Sequence, residues 1–163
     1  MFPEDIDLLA RRVVQAAAAR GLMVAAAESC TGGLVCAALT SVPGSSVVVE
    51  RGFVTYSDAA KTGLLDLPAA LIARHGAVSE PVARAMAEGA LARSAAQVSV
   101  AVTGVAGPGG GSPGKPVGLV HFAACGPRGA IHRERRFGDI GRERVRLDSV
   151  RAALDLLLDR IGA

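Results

Sequence analysis

Residues 22–39 read LMVAAAESCTGGLVCAAL, two apolar runs separated by Glu28, Ser29, Cys30 and Thr31 and by the pair Gly32-Gly33. The first run, Leu22–Ala27, is short and bounded by Gly21, which suits a buried strand. The second, Gly33–Ser41, ends at Pro43-Gly44 and suits a helix. The stretch is therefore a strand handing over to a helix. A plain turn would need only the glycines, so the carboxylate, two hydroxyls and thiol ask for another explanation.

Working outward, Asp5–Arg20 reads as an amphipathic helix with Ile6, Leu9, Val13, Val14 and Ala17 on one face. Val47–Tyr56 is strand-like, and Ser57-Asp58 offers an N-cap for a helix to about Leu65. A short helix follows Pro68 as far as His75, and Ser79-Glu80-Pro81 starts another that runs to about Ser94. Val98–Thr103 is a strand, Gly104–Pro116 a glycine- and proline-rich loop, and Gly118–Cys125 with Ala130–Phe137 a hairpin. Arg142–Ile161 closes the chain as a helix, with Leu147, Val150, Leu154, Leu157, Leu158 and Ile161 inward. Strands alternate with helices early and pair as a hairpin late. The fold class is α/β, a three-layer α/β/α sandwich with a mixed, mostly parallel sheet.

Composition narrows the partners. The 163 residues are 50% hydrophobic but only 3% aromatic, so the core is built from Ala, Val and Leu. A net charge of +3 hints at a small anionic ligand at least as much as at a nucleic acid, for which a denser basic stripe is expected. Cys30, Cys36 and Cys125 form no C-x-x-C pair and read as reduced thiols. The acidic start, Phe2-Pro3-Glu4-Asp5, lacks the basic region of a signal peptide, and no uncharged apolar run reaches the ~18 residues of a membrane span. A cytoplasmic protein with no membrane partner is expected.

In open α/β sheets, ligands bind beyond the carboxyl ends of the strands. The candidate loops are Glu28–Gly33, Tyr56–Lys61 and Thr103–Pro116. Ser29 stands where backbone N–H groups at a helix start could stabilise an oxyanion; equally, Ser29 or Thr31 could simply cap the helix. Lys61 falls in the first turn of its helix, where positive charge is disfavoured. That suits a lysine that binds an anion or gives up its proton, whereas a solvated surface lysine is the default. The chain has 16 arginines and only two lysines, Lys61 and Lys115. Arginine cannot lose its proton, so lysine is kept where arginine would not serve, or by drift.

Two motif matches are set aside. Gly109–Lys115 fits G-x-x-x-x-G-K, but Pro116 replaces the magnesium-binding hydroxyl and a strand follows where a helix is needed. The overlapping G-x-G-x-x-G lacks its helix too. The loop reads as a flap over a substrate or as a flexible turn. His75, His121 and His132 have no metal-ligand spacing, so no metal site is expected. Arg142 and Arg146, one turn apart, offer a phosphate clamp or a solvated face.

Together the stretches AESCTGG, VPGSS, ERGFVTYSDAAK, HGAVSEPVA, AVTGVAGPGGGSPGKPVGLVHFA and GDIGRERVR resemble the nicotinamide-nucleotide amidohydrolase family, also known as the CinA C-terminal domain family. They cover most of the chain in order. The resemblance implies one domain over residues 1–163, a homodimer without cofactor, and hydrolysis of the carboxamide of nicotinamide mononucleotide to nicotinate mononucleotide and ammonia. It places the nucleophile on Ser29, the base on Lys61 and the accompanying tyrosine on Tyr56. Substrate binding falls to Cys30, Thr31, Gly32, Gly33, Thr103 and Gly104, with the phosphate on Arg142 or Arg146. The family has an arginine straight after Gly-Asp, whereas here Ile140-Gly141 intervene. The large N-terminal domain of full-length CinA proteins is missing, which resembles the stand-alone form. Cys30 is the rival nucleophile, but as the next residue it should point elsewhere. The competing reading is a non-catalytic nucleotide-binding module of the same family; a nucleic-acid-binding role comes third.

Overall fold

The computed structural model describes all 163 residues. In chain order the elements are α1 (Glu4–Ala19), β1 (Val24–Glu28), α2 (Leu34–Thr40), a 3-10 turn (Ser45–Val47), β2 (Val49–Val54), α3 (Asp58–Leu65), α4 (Ala69–His75), α5 (Glu80–Ala92), β3 (Val98–Gly104), β4 (Leu119–Gly126), β5 (Gly129–Arg136) and α6 (Arg142–Ile161). The expected elements are all present. The strand expected from Val47 starts two residues later, behind the 3-10 turn that follows Gly44.

The five strands lie in the order β2-β1-β3-β4-β5. β1 pairs in parallel with β2 and β3, while β3–β4 and β4–β5 are antiparallel. The sheet is mixed as expected, but its parallel share is half the pairings rather than most. The cause is local: the loop after β3 carries no crossover helix, so β4 returns antiparallel.

Strand side chains alternate between faces, and the central strands show this cleanly. Val24, Ala26, Val98, Val100, Val102, Val120, Phe122 and Ala124 pack against α1, α2 and α6. Ala25, Ala27, Ala101 and Ala123 face α5 with Val82, Ala83 and Met86. On that second face the sheet side is largely alanine, which lets α5 lie close. α6 contributes Val150, Leu154 and Leu157, all fully buried, at about 1.5–3 kcal/mol each for the larger side chains. Helices on both faces make the three layers.

Candidate active site

Alternation continues past the end of β1 and sorts its chemical groups. Glu28 points towards α2, where its carboxylate accepts from the N–H groups of Gly33 and Val35 at 3.0 Å and Cys36 at 2.9 Å. It is 1% exposed, and it satisfies donors that a helix start otherwise leaves unpaired. Ser29 points the other way, towards α3. Cys30 turns back into the α1/α2/α6 core. There burial pushes its thiol up to about 12, with the Glu28 carboxylate adding to the shift. A thiol shifted upward stays protonated, which disfavours it as a nucleophile, and it packs in the core away from the serine.

α3 delivers the lysine. Ser57 caps it, its hydroxyl accepting from the Ala60 N–H at 3.0 Å, and Lys61 lies one turn further on. The Lys61 side chain is 1% exposed. Its Nζ donates to the Thr55 carbonyl at 2.9 Å and to Ser29 Oγ at 3.2 Å. The nearest carboxylate, Asp58, is exposed and 4.0 Å away. Burial lowers the lysine's pKa from the ordinary value, with Asp58 and then Cys30 opposing the shift. A buried ammonium held mainly by neutral oxygens is poised to lose its proton.

Ser29 and Lys61 share a cavity of about 300 Å³ with Cys30, Tyr56, Thr103 and Arg142. One wall is Ala77 and Val78; another is the loop after β3, through Gly107, Gly109 and Gly110. The backbone N–H groups of Cys30, Ala106, Gly107, Gly109 and Gly110 make no hydrogen bond within the chain. Such a run of free donors suits an anionic oxygen. A larger hollow of about 610 Å³ beside the start of α6, lined by Arg144, Leu147 and Arg151 among others, contains neither Ser29 nor Lys61.

The remaining candidates divide. Thr103 and Gly104 line the cavity. Thr103 Oγ1 donates to the Ala77 carbonyl at 2.8 Å, and a Cβ on Gly104 would come within 2.7 Å of Val120 Cγ2. Tyr56 lines the mouth but makes no hydrogen bond to Ser29 or Lys61; its hydroxyl accepts from Arg142 at 2.9 Å. Arg142 also donates to the Gly107 carbonyl at 2.8 Å and has no carboxylate partner. Arg146, by contrast, is spent on the turn itself, donating to the carbonyls of Cys30 at 3.1 Å and Thr31 at 3.0 Å.

Thr31, Gly32 and Gly33 do not line the cavity either. Gly33 gives its N–H to Glu28 and Gly32 donates to the Ser29 carbonyl, so these two donors are used inside the turn. The glycine-loop mimicry is resolved as expected: β4, not a helix, follows Lys115.

Sequence spacing missed one constellation. His121 and His132, 11 residues apart, meet across the β4–β5 hairpin with Nδ1 and Nε2 at 2.9 Å. His132 Nδ1 faces Glu80 at 3.5 Å and His121 Nε2 faces Glu134 at 3.9 Å. Only the hairpin register, with His121 opposite Glu134 and His132 opposite Ala123, brings them together.

A serine beside a buried lysine, beyond the carboxyl ends of parallel strands in an α/β/α fold, is an arrangement that nucleophilic chemistry can use. The chain belongs to the CinA C-terminal domain family, whose model matches residues 6–161. It is 54% identical over 159 residues to a CinA-like protein of Anaeromyxobacter sp. (strain K), covering 96% of this chain and 38% of that one. A CinA-like protein of Synechococcus sp. (strain RCC307) matches at 54% over 157 residues, again 38% of its length. The chain thus spans about two fifths of these relatives. Among solved structures, the competence/damage inducible protein CihA from Agrobacterium tumefaciens superposes with a TM-score of 0.97 at 52% identity, covering 100% of this chain and 99% of that one. A CinA superfamily protein from Escherichia coli gives 0.90 at 38% identity, covering 97% and 92%. No helix is long and apolar enough to cross a membrane.

Proposed function

We propose that this chain hydrolyses the carboxamide of nicotinamide mononucleotide, giving nicotinate mononucleotide and ammonia. The observation that carries the reading is the 3.2 Å contact between Ser29 Oγ and a Lys61 Nζ whose burial favours the neutral amine. Neutral Lys61 takes the Ser29 proton as Oγ bonds to the carboxamide carbon. The tetrahedral oxyanion is held by the Cys30 N–H, a free donor next to the nucleophile. Lys61 then passes its proton to the amide nitrogen, the C–N bond breaks and ammonia leaves. Water attacks the resulting ester, Lys61 accepts its proton and returns it to Ser29 Oγ, and the acid is released.

At the other end of the cavity, Arg142 and the free N–H groups of Gly107, Gly109 and Gly110 receive the phosphate. Arg142 is preferred to Arg146 because only Arg142 lines the cavity. Tyr56 orients Arg142 at the mouth. The test is ammonia release from nicotinamide mononucleotide and from nicotinamide riboside, which has the same amide and no phosphate. Turnover of the nucleotide with a KM at least about tenfold below that of the riboside is expected. A folded protein that releases no ammonia from the nucleotide contradicts the reading and favours a binding module.

A further inference from the structure

Of the chain's two lysines, one is the base and the other, Lys115, is unexplained by that role. It sits at the end of the glycine loop, whose tip is closed by mutual backbone hydrogen bonds between Ser112 and Lys115 at 3.0 and 2.9 Å. From there its side chain reaches 40 residues back, and Nζ donates to the His75 carbonyl at 2.6 Å. His75 is the last residue of α4, where a helix presents unpaired carbonyls and favours a cation. No carboxylate lies within ion-pair distance of Lys115.

The neighbouring glycine is called for by its own backbone and leaves room for this contact. Gly76 has φ +75°, and a Cβ there would collide with Lys115 Nζ. A compact ammonium fits the space left by the absent Cβ, whereas a planar guanidinium is wider. The segment that begins at His75 continues into Ala77 and Val78, one wall of the cavity. The loop that ends at Lys115 begins with Gly107, Gly109 and Gly110, the facing wall. At its start the same loop is held by Arg142 on the Gly107 carbonyl. Each end of the loop is therefore fastened by one cation on a carbonyl.

We propose that Lys115 is a positioning residue: it straps the glycine loop to the α4–α5 connection and so fixes the two walls at binding distance. It touches neither reacting atom. The inference rests on the reading of this cavity as the substrate site. Losing the strap weakens ground state and transition state alike, so KM rises while kcat is retained.

The experiment compares wild type, Lys115→Met and Lys115→Arg by two independent readouts. The first is amide hydrogen exchange in the unliganded proteins at the hydrogen-bonded amides on either side of the strap, Gly76 in one segment and positions 112 and 115 in the other. Lys115→Met should exchange at least about threefold faster in both segments with the rest unchanged, and Lys115→Arg should fall between the two. The second is steady-state ammonia release from nicotinamide mononucleotide, where Lys115→Met should raise KM roughly tenfold with kcat within about twofold. Unchanged exchange in both segments, or a fall in kcat at constant KM, overturns the strap. If wild type releases no ammonia, the amidase reading fails, and the exchange data still decide whether Lys115 fastens the loop.

Discussion

At the scale of the residue, the site depends on alternation. Glu28, Ser29 and Cys30 are consecutive, so they are thrown to opposite sides of the sheet: carboxylate to α2, hydroxyl to α3, thiol to the core. That Cys30 would point away from Ser29 was readable in the sequence. That the Glu28 carboxylate would consume the helix-start donors was not, because capping across five to eight residues depends on the shape of the turn. Glu28→Ala should therefore destabilise the fold by on the order of 3 kcal/mol in urea unfolding, since buried N–H groups lose their acceptor. Asp58 acts differently. Its carboxylate holds the charged form of Lys61 in place, opposing burial. Removing that charge lowers the lysine's pKa further, and a base works when neutral. Asp58→Asn should shift the acidic limb of the kcat/KM profile to lower pH, and a limb that stays put or moves alkaline would separate Asp58 from the base.

At the scale of the element, two arginines one turn apart on α6 have unlike jobs. Arg142 reaches Tyr56 and Gly107 at the mouth, whereas Arg146 reaches two carbonyls beneath the Ser29 turn. Helical spacing places both on one side of α6, but which neighbour each meets depends on how α6 crosses β1, and sequence does not give that angle. Arg142→Met should raise KM for nicotinamide mononucleotide about tenfold or more, with a smaller loss of stability than Arg146→Met because it leaves one carbonyl rather than two without its donor. Arg146→Met should lower unfolding stability by about 1–3 kcal/mol by stripping two carbonyls of their donor. Equal KM effects from the two substitutions would undo the distinction. The elements themselves were legible because Ser57, Pro68, Pro81 and Gly76 punctuate them at caps and ends. The loop's contact with His75 was not, since nothing in Gly104–Pro116 specifies where its lysine lands.

At the scale of the molecule, the histidine chain ties three elements together: Glu80 from α5, His121 from β4, and His132 and Glu134 from β5. Arg84 of α5 and Lys115 of the glycine loop also face it. Burial lowers both imidazoles below the ordinary histidine value, chiefly against the pull of Glu80 and Glu134. The unfolded chain therefore binds protons that the folded one resists. Stability from this pair is present above about pH 6.5 and is lost as pH falls below it, towards the depressed folded values. Unfolding stability measured from pH 7.5 to 5 should drop in wild type and drop less in His121→Asn. A steeper fall in the variant would contradict the assignment. The layered architecture was legible from the order of strands and helices, whereas this cluster was not, because it exists only in the β4–β5 register.

The central claim is that Ser29 is the nucleophile and Lys61 its base. The most direct measurement is the rate of ammonia release from nicotinamide mononucleotide by wild type, Ser29→Ala, Lys61→Met and Cys30→Ala, each shown to be folded. The account predicts that the first two substitutions each remove at least about 10³-fold of kcat, as loss of a nucleophile or its base does, while Cys30→Ala stays within about tenfold of wild type. Turnover that survives in Ser29→Ala and disappears in Cys30→Ala would contradict it.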